Sequence, residues 1–434
     1  MSSLVVLGLQ WGDEGKGKVV DYLSKDFDIV VRFQGGNNAG HTVKIGDDTH
    51  KFRLLPSGAI RGKRVVIGNG VVLDPQTLTD EIVELRKADI KIDLLISNRA
   101  HVITPYHIKI DELQELEKGD TKIGTTRRGI GPTYSNKIDR IGLRVADFLG
   151  DSLETVDQFQ EIILAKIQRL FEIGNMDAIN DDFERYISLV RSLKPFVGDT
   201  GEYLRDSVQR GDRILYEGAQ GTLLDIDHGS YPFVTSSNCS IGGVSTGTGV
   251  PPSQIGEVLG VVKAYTTRVG AGPFPTEIED SIESTIRTRG KEFGTVTGRP
   301  RRCGWLDLVA LRYAVVLNDA KFLALTKLDV LSGIGPLKVC TRYESDGIEI
   351  SSIPANAIEY DRVHPVYEEL DGWDLPKGDS WNGILKTGLE SLPENLIEYL
   401  RKIESFTRTE VKLISVGPRR EETMVLDEKW LDSS

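Results

Sequence analysis

What this chain has little of narrows its function first. Its 434 residues include only three cysteines, Cys239, Cys303 and Cys340. They are widely spaced and odd in number, which excludes a disulfide framework and a zinc-ligand pattern and fits a reducing compartment. No apolar run is long enough to span a bilayer. The opening MSSLVVLGLQ has neither a basic leader nor a long apolar core, so a cytoplasmic protein is expected. Positive charge is also short: 53 Lys and Arg face 65 Asp and Glu, a formal net charge of -12. A general nucleic-acid or membrane-surface binder needs a basic face. Neither partner is expected, and any anionic ligand must be gripped by local clusters of cations. The apolar and charged fractions, 39% and 27%, are those of a globular protein, and the length admits two or three domains.

What is there begins with Leu4 to Lys18, LVVLGLQWGDEGKGK. A short Val- and Leu-rich run reads as a buried strand. Gly12, Gly15 and Gly17 follow among Asp13, Glu14, Lys16 and Lys18, and Val19, Val20, Tyr22 and Leu23 then suit a helix. Strand, glycine-rich turn and helix aim backbone N–H groups and a positive dipole end at one point, which suits phosphate. Gly12, Gly17 and Lys18 satisfy G-x-x-x-x-G-K, yet Val19 stands where the usual loop has Ser or Thr for magnesium. Asp13 is the replacement ligand within reach, since magnesium prefers hard carboxylate oxygens. The bland alternative is a tight turn with solvated charges.

Ile29 to Arg32 (IVVR) reads as a second buried strand, running into Gly35-Gly36-Asn37-Asn38-Ala39-Gly40-His41-Thr42. Glycines permit close backbone approach, and Asn, His and Thr offer neutral hydrogen-bonding groups. In a parallel sheet this loop opens on the same edge as the first. Arg64 to Gly68 and Leu94 to Ser97 read as further strands, with Leu78, Ile82 and Leu85 at helical spacing between them. Such alternation predicts the crossovers of a mostly parallel sheet. Lys122 to Tyr134 is a Gly-, Thr- and Arg-rich segment, an anion-binding candidate or a solvated basic loop.

From Leu153 to Pro195 the pattern is helical. Val156, Phe159, Ile163, Ile167 and Leu170 mark one amphipathic face, and Phe183, Tyr186, Ile187, Val190 and Leu193 another, separated at Gly174-Asn175. Packing is the preferred reading there. Strands are again expected at Arg213 to Glu217 and Leu259 to Tyr265. Polar, glycine-rich runs from Glu217, from Thr235 and over Gly242 to Gly249 read as ordered ligand loops.

Arg287, Arg289, Lys291, Arg299, Arg301 and Arg302 face only Glu292 in their window, with Thr295 to Gly298 inside it. In an acidic protein such a loop points to capture of a small dianion through paired arginine bonds. Phe322 to Leu331 (FLALTKLDVL) carries Thr326-Lys327-Leu328-Asp329 at a strand end. An Asp there accepts from the two adjacent N–H groups of guanine, a pair that adenine lacks. A surface ion pair is the alternative. A last strand, Val411 to Val416, ends in Ser415-Val416-Gly417-Pro418, while Glu344 to Asn395 is polar and without clear pattern.

Taken together, these segments resemble the adenylosuccinate synthetase family, GTP-dependent ligases that join IMP to L-aspartate. The matching motifs are QWGDEGKGK from Gln10, GGNNAGHT from Gly35, IGTTRRGIGPTY from Ile123 and EGAQGTLLDIDHG from Glu217. YPFVTSSN from Tyr231, TRVGAGPFPTE from Thr267, TGRPRRCGWLD from Thr297 and TKLDVL from Thr326 complete the set. They extend over nearly the whole chain, in family order. The resemblance implies one α/β domain over 1–434: a large, mostly parallel, P-loop-NTPase-like sheet with flanking helices and a helical insertion at about 153–195. It implies a carbon–nitrogen ligase of AMP synthesis, using Mg2+ and forming adenylosuccinate, GDP and phosphate through 6-phosphoryl-IMP.

By that resemblance Asp13 is the base, His41 the acid, and Lys16 and Gln220 complete the catalytic set. Asp13 and the Gly40 carbonyl would hold the metal. GTP would meet Gly12, Gly15, Lys16, Gly17, Lys18, Gly40, His41, Thr42 and Arg301. Its guanine would meet Lys327, Leu328, Asp329, Ser415, Val416 and Gly417. IMP would meet Asp13, Glu14, Gly15, Lys16, Asn38, Ala39, Gly40, His41, Thr126, Gln220, Thr235 and Arg299. Arg140 would reach IMP from the partner subunit of a homodimer. Aspartate would meet Thr295, Val296, Thr297, Gly298, Arg299, Pro300 and Arg301. Two positions depart from the family's usual forms: Arg127, where bacterial members often have Gly, and Pro300, where a basic residue is common. A GTP-binding switch or regulatory NTPase is the alternative, supported by a phosphate loop plus T-K-x-D. The segments around Thr126 and Gln220 speak against it, because a switch needs no second ligand.

Overall fold

Ser3–Gly8 lies in the middle of a ten-stranded sheet. The computed structural model describes residues 1–45, 48–117, 124–171, 176–279, 281–294, 298, 300–375, 380–427 and 429–431. From one edge the strands run Thr423–Val425, Glu410–Ser415, Ala320–Thr326, Glu257–Lys263, Ser3–Gly8, Ile214–Glu217, Ile29–Arg32, Arg64–Ile67, Asp93–Ser97 and Val197–Gly198. Every pairing is parallel except that of Thr423–Val425 on Glu410–Ser415. Parallel strands are covered on both faces, so they read as unbroken apolar runs. Leu4, Val5, Val6 and Leu7 are accordingly all fully buried.

The strands expected from the sequence are present to within a residue or two. The helix Pro75–Lys87 follows an Asp74 cap whose side chain accepts from Gln76 N and Thr77 N, with Pro75 in the first turn. Leu78, Ile82 and Leu85 form its buried face. The helical pair is Glu154–Phe171 and Asp177–Ser192. Its Phe159 and Phe183 rings close on Tyr106, so its contribution is packing. One position departs from expectation: Leu170 is 49% exposed, because the inward stripe already ends at Ile167. The Gly174-Asn175 break lies outside the described residues.

Three further features differ from the sequence reading. His41 does not sit in an open loop but begins a strand, His41–Ile45, paired antiparallel with Asp48–Phe52. Gly242–Thr248, glycine-rich enough to read as a loop, is a short helix. The unpatterned region after Glu344 belongs to a small second sheet in which Leu337–Ser345 pairs antiparallel with Ile348–Ile350 and His364–Leu370. Neither of the last two strands has a fully buried residue, so no sharp alternation of buried and exposed positions is there to read.

Candidate active site

After Ser3–Gly8 the chain turns through residues 9–15 into the helix Lys16–Leu23. Gly12 and Gly15 have φ of 82° and 89°, and Asp13 is held at φ 59°. A side chain in that left-handed region is uncommon and clusters where function imposes it. Asp13 is exposed. Glu14 faces the other way, fully buried. Its Oε1 accepts from Gln10 N at 3.1 Å and Gly12 N at 2.9 Å, and its Oε2 pairs with Lys16 Nζ at 2.5 Å. One carboxylate thus ties the loop together from inside while the other is presented outward. The loop after Ile214–Glu217 closes on the same turn: a Cβ on Gly221 would fall 2.6 Å from Gly12 N, so no side chain fits.

Beside it, the loop after Ile29–Arg32 meets the loop after Ile214–Glu217 in a chain of amides. Gln34 and Ala219 exchange two bonds of 3.0 Å. Gln220 Nε2 donates to Asn38 Oδ1 at 3.0 Å, and Asn38 Nδ2 to Thr235 Oγ1 at 3.4 Å. Three residues assigned to IMP by resemblance, far apart in sequence, therefore touch. Gln220 also has positive φ, 57°. Arg128 Nη1 donates to Asn37 O at 3.1 Å, docking the segment from Gly124 onto this cluster. Thr126 and Arg140 themselves stay exposed, Arg140 at φ 62° on the end of the helix Ile130–Asp139.

His41 lies between the two loops and is only 7% exposed. Its Nδ1 pairs with Glu217 Oε1. Glu217, fully buried at the end of its strand, also accepts from Ser57 N and Ser57 Oγ, each at 2.7 Å. On the opposite side a Cβ on Gly17 would fall 2.9 Å from His41 Cβ. Nothing larger than glycine can stand there without moving the ring.

The guanine candidates form the far wall. Thr326 Oγ1 donates to Glu14 O at 2.6 Å, joining that strand end to the phosphate loop. Lys327, at φ 64°, donates to Gly290 O at 2.7 Å. Asp329 Oδ1 is buried and has no hydrogen-bond partner among the described residues. Lys18 does not extend along the loop. Its Nζ donates to Ser415 Oγ at 2.8 Å, Gly417 O at 3.0 Å and Glu422 O at 2.8 Å. Burial brings its pKa down to about 8.

The basic window is less free than its sequence implies. Arg287 pairs with Glu283 and Arg302 with Glu277, acids just outside the window. Arg301 Nη1 donates to Glu292 Oε2 at 2.7 Å. Glu292 also takes Lys263 Nζ at 3.0 Å and the Tyr265 hydroxyl at 2.6 Å. Burial alone would raise its pKa, but Lys263, Lys327 and Arg301 outweigh that and bring it to about 2. Gly298 and Pro300 are exposed. Thr295, Val296, Thr297 and Arg299, four of the aspartate and IMP candidates, lie outside the described residues, as does the Thr42 side chain. Asp225, in the polar run after Glu217, serves its own loop, accepting from Asp227, His228 and Ser240 backbone N–H groups.

Among the described residues no three His, Cys, Asp or Glu side chains converge on a metal position. Magnesium asks for less, taking one or two protein oxygens and completing its shell with water and phosphate. The exposed Asp13 carboxylate and Gly40 backbone fit that demand. Reading the sequence alone gave no site role to Glu217, Gln34, Ser57 or Thr326. Only Glu217 and Thr326 left a signal there: a polar residue closing an apolar strand on the edge where the loops gather.

Comparison with known proteins gives the family. The adenylosuccinate synthetase family model matches residues 5–424. An adenylosuccinate synthetase from Carboxydothermus hydrogenoformans is 48% identical over 432 residues, covering 99% of this chain and all of the relative. One from Clostridium botulinum (strain Langeland) is 46% identical over 434 residues, again covering 99% and 100%. The solved structure of a fully ligated adenylosuccinate synthetase from Plasmodium falciparum superposes with a TM-score of 0.90 at 36% identity, covering 98% of this chain and all of that one. The chain belongs to the adenylosuccinate synthetase family.

Proposed function

We propose that the chain joins L-aspartate to IMP at the expense of GTP, giving adenylosuccinate, GDP and phosphate. The observation that carries this reading is that one phosphate loop is shared by two ligand walls. Its Glu14 carbonyl is held by Thr326 from the guanine side. On its other flank a Cβ on Gly12 would lie 3.6 Å from Gln220 Cα, in the amide cluster with Asn38 and Thr235. A GTP-driven switch has no use for the second wall. On the first wall, the unpartnered Asp329 Oδ1 supports guanine, whose adjacent N–H donors would satisfy it.

The reaction is phosphoryl transfer followed by substitution. The 6-oxygen of IMP leaves poorly, so the γ-phosphoryl group of GTP is first moved onto it, while Asp13 takes the N1 proton. The α-amine of aspartate then attacks C6, and phosphate departs with charge stabilisation from His41. Gln220, Asn38, Thr235 and Thr126 position IMP. Arg301 and the neighbouring residues from Thr295 to Pro300 take the aspartate carboxylates. Lys16, with the backbone of Gly15 and Gly17, holds phosphate. Asp13 and the Gly40 carbonyl would hold Mg2+, which would supply neutralisation of the phosphate charge. Positioning and charge neutralisation are the protein's main contributions to such a reaction.

The chain would act as one α/β unit with the helical pair near 153–195 inserted, and as a homodimer. Arg140 is exposed beside Ile138, itself 76% exposed, a placement suited to reaching a second copy's IMP. The test is phosphate release from GTP measured with and without each co-substrate. Release should require both IMP and aspartate and should fail with ATP in place of GTP. Release without either co-substrate would favour the switch.

A further inference from the structure

Glu217 is a buried acid to which neither the family motifs nor the reaction above gives a task. It closes the strand Ile214–Glu217, in register with Val6 on one side and Arg32 on the other. Water does not reach it. Both oxygens are engaged, Oε2 by Ser57 N and Oε1 by Ser57 Oγ and His41 Nδ1. Burying a carboxylate is costly unless it is paired and hydrogen-bonded. Burial pushes its pKa up, but the His41 ring and the two Ser57 donors outweigh that and hold it below the usual carboxylate range.

We propose that Glu217 is a positioning residue for this reaction, a buried carboxylate that holds the His41 imidazole in one tautomer and one orientation against the phosphate loop. The proposal rests on His41 being the acid at the departing phosphate. Three observations carry it. The carboxylate is fixed from behind by Ser57, at the start of the turn Ser57–Arg61, so it cannot swing away from the ring. The Gly17 backbone packs closely against His41, where an added Cβ would fall 2.9 Å from His41 Cβ and 3.3 Å from Cγ, which limits how far the side chain can shift. Finally, Nε2 has no hydrogen-bond partner among the described residues, so the protein engages only Nδ1.

With the ionised carboxylate as acceptor, Nδ1 must carry a proton, which leaves Nε2 as the atom that exchanges one with the substrate. Histidine held by a carboxylate on one nitrogen and working with the other is a recurrent solution, because the acid sets both direction and tautomer. A role confined to anchoring Ser57 would not require an oxygen to be shared with the ring. Glu217 never meets substrate itself; it acts through His41.

The experiment compares Glu217→Gln, Glu217→Asp, His41→Asn and the double variant in steady-state assays, with thermal melts as controls. Glu217→Gln presents an amide that can donate to Nδ1 and reverse the tautomer, so kcat should fall by ~10²-fold or more, within the range of general acid catalysis. KM for GTP, IMP and aspartate should stay within about threefold, since binding does not use the tautomer. Glu217→Asp, keeping the charge, should recover about tenfold of that loss. The double variant should be no slower than His41→Asn alone, because residues acting as one unit are not additive.

A double variant slowed by the product of both effects would overturn the proposal. So would a Glu217→Gln enzyme with shifted KM values and melting temperature but an intact kcat, which is what mere anchoring predicts. Should Glu217→Gln fail to fold, Ser57→Ala removes one anchor of the same carboxylate and should still lower kcat by roughly tenfold; an unchanged kcat there would count against the proposal. If His41→Asn is slow while Glu217→Gln is normal, only the role of Glu217 falls. If His41→Asn itself turns over normally, the acid assignment falls first.

Discussion

Arg301 Nε lies 2.8 Å from Asp13 Oδ2. The two charges touch without an aligned hydrogen bond, since that nitrogen has no hydrogen-bond partner among the described residues, while Nη1 of the same guanidinium donates to Glu292. A cation therefore rests beside the carboxylate proposed as base and metal ligand. Its anchor is on the far side, so Arg301 can leave Asp13 without losing Glu292.

Replacing Asp13 by Ala removes both duties at once. Turnover should fall by at least ~10²–10⁴-fold, the usual worth of a general base. The melting temperature should fall only slightly, because the side chain is exposed and its one ion pair is to Arg301, which keeps Glu292 as a partner. Near-normal phosphate release from a well-folded Asp13→Ala enzyme would sink the assignment.

Asp329 gives a separate handle on the nucleotide. Its buried Oδ1 lacks a partner among the described residues, and a buried acceptor left unmatched costs about 1–3 kcal/mol. Asp329→Asn should raise KM for GTP by about 10- to 100-fold, the equivalent of that penalty. The kcat at saturating GTP should stay within a few-fold. Unchanged KM values would argue that guanine is read elsewhere.

Acid should loosen the platform under Arg140. His107 is fully buried, and its Nδ1 accepts from Thr104 N at 3.0 Å, which a doubly protonated ring cannot do. Burial lowers the pKa of His107 to about 3 and that of nearby His101 to about 4, both from 6.5. The folded values lie below the unfolded ones, so the unfolded chain takes up protons first as pH falls. The contribution is full above pH 6.5 and is lost progressively between 6.5 and about 3 to 4. The slope is at most roughly 1.4 kcal/mol per pH unit for each group. Denaturant melts at pH 7, 6 and 5 should show the loss. His107→Gln, which can still accept from Thr104 N, should begin less stable and lose less; an identical slope in the variant would refute the cause.

The sheet was readable because parallel strands are buried on both faces, and runs such as IVVR and LVVLG have few other uses. The loops that gather at the sheet edge were readable as well, through glycines and polar residues clustered after those strands. The connections between them were not. Lys18 finds Ser415, Thr326 finds Glu14 and Ser57 finds Glu217 across hundreds of residues or nearly so, and no local pattern records such a meeting. Glu292 read as the lone acid in a basic window. In the structure it is the group that gathers Lys263, Tyr265 and Arg301. His41 looked like a loop residue because its hairpin is short and polar, with little apolar alternation to mark it.

The clasps made by Lys18 on the Ser415–Gly417 turn and by Thr326 on the Glu14 carbonyl have one more consequence. They fasten the proposed base-reading wall to the glycine-rich loop at Glu14 and to the first helix at Lys18, so on that reading the span from base to loop is set by the protein and not by the ligand. The two walls behave as the jaws of a fixed gauge.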